Sequence, residues 1–189
     1  THVHAWWRLE PANGSMLWMR HRDPRRFGWL ESHASLASVR ERRWSLLGPD
    51  ALGVTVDALN ACLAGTRRPL KSALLDQTCV AGLGNIYVDE ALFRAGLHPC
   101  TRTHRLQERH VRDLAHAITS ILRKAVERGG STIQDHRGAD GTWGSFQKLH
   151  RVYGRAGLPC VRCGTSLRRR LVSQRTTVFC PDCQPMRPR

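Results

Sequence analysis

Four cysteines near the end of the chain, Cys160-Val-Arg-Cys163 and Cys180-Pro-Asp-Cys183, have the type and spacing of a defined chemistry. Two C-x2-C knuckles separated by sixteen residues suit four thiolates closing tetrahedrally on a single zinc ion, as in a zinc ribbon. Two disulfides are the alternative. A strongly basic chain without a secretory signal points instead to a reducing compartment, where paired knuckles hold metal. Four protein thiolates leave no coordination position for water or substrate, so the one expected zinc is structural and other residues must carry any reaction. Cys62, Cys79 and Cys100 lack knuckle spacing. Cys62 and Cys79 fall in apolar helical stretches and are expected to be buried free thiols.

Two further segments carry chemistry. In Asp23-Pro-Arg-Arg-Phe-Gly28, Pro24 and Gly28 make a stiff turn that presents Arg25, Arg26 and Phe27. A Phe between cations suits wedging into a base stack while an arginine reads a base edge; a core Phe beside solvated arginines is the alternative on six residues alone. Gly82-Leu-Gly-Asn85 reads as a tight connection between two helices, with free amides at a helix N-terminus where a phosphate can bind. It is no dinucleotide fingerprint, because no strand precedes it and the third glycine is missing. Thirty Lys and Arg against fifteen Asp and Glu give a formal charge of +15, which favours a polyanionic partner, nucleic acid before membrane. No apolar run approaches the ~20 residues of a bilayer span. The expectation is a soluble, cytoplasmic, nucleoid-associated monomer with no membrane partner.

The elements that must position these residues follow from periodicity. Val3, Ala5, Trp7 and Leu9 alternate with His4, Trp6, Arg8 and Glu10, Pro11 to Gly14 turns the chain, and Leu17 and Met19 alternate with Trp18 and Arg20 on the return, so residues 1–31 read as strands. A two-stranded ribbon is marginal alone and belongs to a larger sheet. Residues 32–48 are a connector with weak helical character. Thr55 caps a helix through Leu63 that Gly65 ends; a short helix follows around Ser72 to Cys79, and Asn85 caps another over Ile86 to Ala95. Val111, Leu114, Ile118, Ile121, Leu122 and Ala125 form the core stripe of a long helix that Gly129-Gly130 terminates. Residues 131–147 read as a polar loop. A hairpin of Leu167–Val172 and Thr176–Phe179 places Arg175 at its tip.

Taken in order, Thr1-His-Val-His4, Asp23-Pro-Arg-Arg-Phe-Gly28, Leu47-Gly-Pro49, Lys71, Gly82-Leu-Gly-Asn-Ile-Tyr87, Glu90-Ala-Leu-Phe93, Gly129-Gly-Ser-Thr132, Val152-Tyr-Gly-Arg155 and the ribbon with Gln174-Arg175 resemble the formamidopyrimidine-DNA glycosylase (Fpg/Nei) family of base-excision repair enzymes. The resemblance covers essentially the whole chain. It implies an α+β protein: the end of an N-terminal β-sandwich (1–31), a connector (32–48), a helix-two-turn-helix DNA-binding domain (49–153) and a zinc finger (154–189). It also implies a DNA glycosylase and abasic-site lyase that acts on duplex DNA containing oxidised bases, purines above all, or abasic sites.

By the same resemblance, Lys71 and Asn85 contact phosphates, and Arg175 grips the backbone at the lesion and donates the proton in δ-elimination. Arg25 reads the orphaned base while Phe27 wedges the duplex. His2, Arg67 and Tyr153 are further DNA contacts, and the loop 131–147 falls where the family caps the everted base. The family nucleophile is an N-terminal proline followed by glutamate. Thr1 is not that proline, so the chain is expected to be part of a longer protein, about eighty residues longer by family length, and inactive alone. A non-catalytic zinc-ribbon nucleic-acid-binding protein is the alternative; it needs only the ribbon and the charge. A relative that has lost its catalytic end is a third.

Overall fold

Alternating side chains at the start pair as an antiparallel ribbon, β1 (Val3–Leu9) and β2 (Leu17–Arg22), with Trp6 opposite Arg20 and the Arg20 guanidinium 5.4 Å from the Trp6 ring. The structure is a computed structural model that describes residues 2–186 except 11–13, 15, 24, 25, 27, 29 and 134–140. The expected turn after β1 therefore lies largely outside the described residues. The ribbon and α1 (Leu36–Arg42) make up one compact unit, Thr1–Arg42, and the remainder, Arg43–Arg189, makes up another. In the first unit Trp6, Leu17, Trp18 and Met19 are all exposed. Two strands have too little surface to bury their own apolar residues.

The second unit begins with helices. α2 (Val56–Ala64) is capped by the Thr55 hydroxyl, which accepts from the Ala58 amide at 3.2 Å, and stops at Gly65. α3 spans only Leu70–Leu74, earlier and shorter than the helix expected around Ser72 to Cys79. The reason is Asp76. Its carboxylate accepts from the Thr78 amide at 3.0 Å and the Thr78 hydroxyl at 2.7 Å, an Asx turn that competes with helix continuation. Those Thr78 hydrogen bonds, with help from Arg68, hold the Asp76 carboxyl below its ordinary pKa.

Gly82 adopts the positive φ expected of it, +88°, and turns the chain into α4 (Asn85–Arg94). Gly84 is the N-cap, so Asn85 is the first helical residue rather than the cap, and its side chain is released for another partner. α5 (Glu108–Glu127) buries Val111, Leu114, Ile118, Ile121 and Ala125 and ends at Gly129 and Gly130, both left-handed. This stripe packs against Leu59, Leu63, Leu70, Leu74, Val88 and Leu92 in the main core. The last strands, β3 (Arg168–Val172) and β4 (Arg175–Phe179), pair antiparallel around a two-residue turn. A second, smaller cluster of Phe93, Val152, Cys160, Leu167, Val178 and Cys180 lies beneath them.

Cys62 and Cys79 differ from expectation. They are joined as a disulfide across 17 residues, with Cα atoms 5.4 Å apart, tying α2 to the segment that leads into Gly82. Periodicity placed each on an apolar face. That the two faces meet is a tertiary fact. Denatured, unreduced protein treated with chelator and iodoacetamide should therefore alkylate five of its seven cysteines by mass spectrometry. A loop of this size also implies a loss of about 3 kcal/mol in unfolding free energy for Cys62→Ser, measured by urea titration.

Candidate nucleic-acid interface and tetracysteine centre

The knuckles are shaped by their own backbone. The Cys160 amide donates to the Thr165 carbonyl at 2.9 Å, the Gly164 amide to the Cys160 carbonyl at 2.9 Å, and the Arg162 and Cys183 amides point at the Cys160 and Cys180 sulfurs at 3.4 Å. The Sγ atoms of Cys160, Cys163, Cys180 and Cys183 all lie within 4.8 Å of one another, with 3.8 Å between Cys160 and Cys183 and 3.5 Å from Cys163 to Cys180 and to Cys183. A tetrahedron with Zn–S bonds of about 2.3 Å has edges of roughly 3.8 Å, so this donor set fits zinc. The thiols are unlike one another: Thr165 hydrogen bonds draw Cys163 down to about 6, whereas burial pushes Cys180 and Cys183 up. A divalent cation is what makes four crowded sulfurs thiolates together. One structural zinc is thus the cofactor of this finger, and its role is to hold the polypeptide.

What the finger holds is α4, gripped near both ends. At the C-terminal end the Arg162 guanidinium, 4.4 Å from the Phe93 ring, donates to the Phe93 and Arg94 carbonyls, and buried Gln184 donates to Leu97 O while accepting from Cys180 N. At the N-terminal end the contacts come from the hairpin. Asn85 Nδ2 donates to the Thr176 carbonyl at 3.0 Å. Lys71 Nζ donates to the same carbonyl at 3.2 Å and to Asp89 Oδ1 at 2.6 Å, and Asp89 Oδ2 accepts from the Val178 amide at 3.0 Å.

Lys71, expected from the resemblance as a phosphate contact, meets protein groups in this structure. Its side chain is 0% exposed and its ammonium is turned inward. The physical reason is the neighbouring carboxylate: a buried ammonium needs a counter-charge, and Asp89, itself 1% exposed, is within hydrogen-bond distance. Burial pulls the Lys71 pKa down and pushes Asp89 up to about 6.

The other expected contacts are distributed as follows. Arg175 is exposed at the first position of β4. Arg67 is exposed, and its carbonyl accepts from Arg102. Tyr153 is half-buried, its ring 5.5 Å from His150. His2, in the other unit, is exposed with φ +67°, and its carbonyl accepts from the Asp23 amide. Arg25 and Phe27 lie outside the described residues. What is described is their frame: the Asp23 carboxylate accepts from the Arg26 amide at 2.9 Å and the Gly28 amide at 2.6 Å. In the loop 131–147, residues 134–140 are likewise outside. Its base is closed by Gly144 N donating to Thr132 Oγ1, by Gln147 Nε2 donating to Gly144 O, and by Thr132 N donating to Gln147 Oε1. A Cβ on Gly144 would run into the Gly129 and Gly130 carbonyls.

Sequence reasoning gave no role to Asp89 and quoted Glu90 only as part of a motif. Glu90 is buried and accepts from the amides of Arg151, Val152 and Tyr153 at 2.9–3.0 Å, fixing the segment that carries Tyr153. The signal was present: two adjacent acids in a helix whose other residues include Ile86, Val88, Ala91, Leu92 and Phe93. Buried acids must find donors.

A left-handed glycine turn into a helix whose first amides carry no side-chain cap, stapled to a tetracysteine hairpin, defines a helix-two-turn-helix, zinc-finger protein. Residues 47–137 match the formamidopyrimidine-DNA glycosylase H2TH domain profile and 157–185 the zinc finger found in FPG and IleRS. The chain is 46% identical over 166 residues to the formamidopyrimidine-DNA glycosylase of Gluconobacter oxydans (strain 621H), covering 86% of this chain and 60% of that protein. It superposes on the MutM (Fpg) protein of Thermus thermophilus with TM-score 0.82 at 42% identity, over 99% of this chain and 70% of that one. On Lactococcus lactis Fpg in complex with an abasic site containing DNA it does so with TM-score 0.74 at 33% identity, over 92% and 60%. The chain belongs to the formamidopyrimidine-DNA glycosylase family. It spans about 60% of the length of the first curated relatives it matches. No helix among the described residues is long and apolar enough to cross a membrane.

The Asp89 carboxyl should titrate at about 6 in the folded chain, against about 3.9 unfolded. Between these values the folded state binds the extra proton, so from this group alone stability rises as pH falls from about 6 to about 4, even as the ion pair is lost. A ¹³C carboxyl titration checks the midpoint; one near 4 would refute it. Zinc removal should release one ion per chain and unpin the hairpin while leaving the α-helical circular dichroism of the main core in place, because that core shares no buried side chain with the cluster under the finger.

Proposed function

We propose that residues 1–189 are the DNA-binding part of a formamidopyrimidine-DNA glycosylase, which in the whole protein excises oxidised purines and cleaves the resulting abasic strand. The observation that carries this reading is that Thr176, next to exposed Arg175, gives its carbonyl both to Asn85 at the uncapped start of α4 and to the inward Lys71, which brings β4 to the α4 N-terminus. An arginine beside free helix N-terminal amides is an anion site, and its partner here is a phosphate of the duplex.

Each group has a task. The α4 amides donate to a phosphate oxygen, and Asn85 holds the hairpin against them. Arg175 places a planar guanidinium on the backbone at the lesion and donates the proton in δ-elimination. Arg67 and Tyr153 extend the phosphate track, and in the other unit His2 touches the backbone. Arg25 and Phe27 fill the gap left by the everted nucleotide, Arg25 on the orphaned base and Phe27 in the stack. The loop 131–147, closed at its base by Thr132, Gly144 and Gln147, covers the everted base. No nucleophile is placed among residues 1–189, whose part is binding rather than turnover. The domain limits are those read from the sequence, with the strands of 1–31 as the end of the catalytic sandwich.

Residues 1–189 should bind a duplex containing a tetrahydrofuran abasic analogue about tenfold or more tighter than the intact duplex. Plotted as log affinity against log salt, the slope should be about −3.6 or steeper if four or more phosphates are neutralised. Equal affinity at moderate salt would sink the reading. Arg175→Glu should weaken every duplex; unchanged binding removes Arg175 from the interface.

A further inference from the structure

The hairpin that carries Arg175 cannot hold its own position. It has two five-residue strands, and a ribbon of that size is marginal in water. Its turn residues, Ser173 at φ 49° and Gln174 at φ 58°, are both left-handed without being glycine, a conformation that persists only when its surroundings impose it. In an antiparallel pair closed by a two-residue turn, the residues flanking the turn form a hydrogen-bonded pair and every second residue thereafter points its backbone groups outward. Here Val172 pairs with Arg175 and Arg170 with Thr177, which leaves Thr176 and Val178 facing away from β3.

These outward groups are the ones the helices take. The Thr176 carbonyl receives Lys71 and Asn85, and the Val178 amide is received by Asp89. Asp89 enters this set twice, once directly at Val178 and once through the Lys71 ammonium that it neutralises. At the turn itself, the Ser72 and Ser173 hydroxyls add a contact of 2.6 Å. Side chains of α3 and α4 thus stand in for a third strand along β4.

We propose that Asp89 is a positioning residue for damaged-DNA binding: through Lys71 and the Val178 amide it sets β4, and through β4 the place of the Arg175 guanidinium. This rests on the DNA-binding reading above. It makes Lys71 a relay between Asp89 and the hairpin rather than a phosphate ligand. The neutralisation also matters to Arg175 directly, because an unpaired Lys71 ammonium near Arg175 repels its guanidinium.

Asp89→Asn preserves shape and can accept from Val178 or from Lys71, but it cannot serve both without setting its own amide N–H against a donor. The test is a double-mutant cycle on the full chain, with affinity for the tetrahydrofuran duplex read by anisotropy and zinc content and thermal midpoint recorded for each protein. Arg175→Ala should weaken binding by about 30-fold, as for loss of a charge-assisted hydrogen bond, and Asp89→Asn by about tenfold. If Asp89 acts through Arg175, the double variant stays near 30-fold rather than the ~300-fold of independent sites. The same cycle between Asp89→Asn and Arg67→Ala should multiply. Lys71→Met with Asp89→Leu removes the charge pair without stranding either partner. It covers the case in which Asp89→Asn fails to fold, and it should show the same non-additivity with Arg175→Ala.

Hydrogen exchange without DNA gives an independent arm: Asp89→Asn should strip protection from the amides of 175–178 and leave α5 unchanged. Multiplicative effects with Arg175→Ala, or unaltered protection at Val178, overturn the proposal while leaving the DNA-binding reading intact. A wild-type chain without preference for the abasic duplex removes the DNA-binding reading and this proposal with it.

Discussion

A buried carboxylate on α4 is the constraint on which the second unit depends. Asp89 meets an ammonium from α3 with one oxygen and a backbone amide of β4 with the other, so three elements distant in sequence share one small polar contact. Charges without water demand partners with good geometry, and removing either leaves the other stranded. Such a contact is a weak source of net stability but a strong source of uniqueness for the arrangement it permits: neither α3 nor β4 can slide without leaving a charge or an amide unsatisfied. Burial shows its hand in both pKa shifts, with Asp89 raised and Lys71 lowered despite their closeness.

The zinc centre belongs to the same logic. Four sulfurs close a small loop-rich finger that has little core of its own, and the finger then spends its polar side chains on a helix rather than on itself. Arg162 and Gln184 take carbonyls at and beyond the C-terminal end of α4 while the hairpin takes Asn85 near its start. A helix of ten residues, about 15 Å long, is in this way clamped at both ends by a module that begins some sixty residues later in the chain. The arrangement leaves the start of α4 without a side-chain cap while tying it, through Asn85, to the Thr176 carbonyl next to Arg175, so a structural metal fixes groups it never touches.

Glu90, next to Asp89, does for the segment 151–153 what Asp89 does for β4. The two acids share one short helix and point to different partners, one to the hairpin and one to the loop that carries Tyr153. Arg175 and Tyr153 thus sit on irregular or marginal backbone that carboxylates of a regular helix tie down. The turn at Ser173 and Gln174, left-handed at two non-glycine residues, is tied to α3 by the Ser72 and Ser173 hydroxyls.

Much of this was legible in the residues alone. The knuckle spacing is sufficient for a tetrathiolate site because the ligands are local in sequence and the geometry of zinc is narrow. The stripe of α5, the Thr55 cap and the left-handed Gly82 follow from periodicity and backbone sterics, which are also local. Three things were not legible: the pairing of Cys62 with Cys79, the early end of α3 at Asp76, and the inward turn of Lys71. A lysine closely following Arg67-Arg68 in a chain of net charge +15 reads as a solvent-facing cation. Whether an ammonium faces water or a carboxylate 18 residues away depends on which helix faces meet, and no local pattern encodes that. Residue type and spacing therefore determined the metal site and the helices; tertiary packing decided which cations face solvent and which are buried against a counter-charge, because burial and counter-charge are properties of the assembled fold.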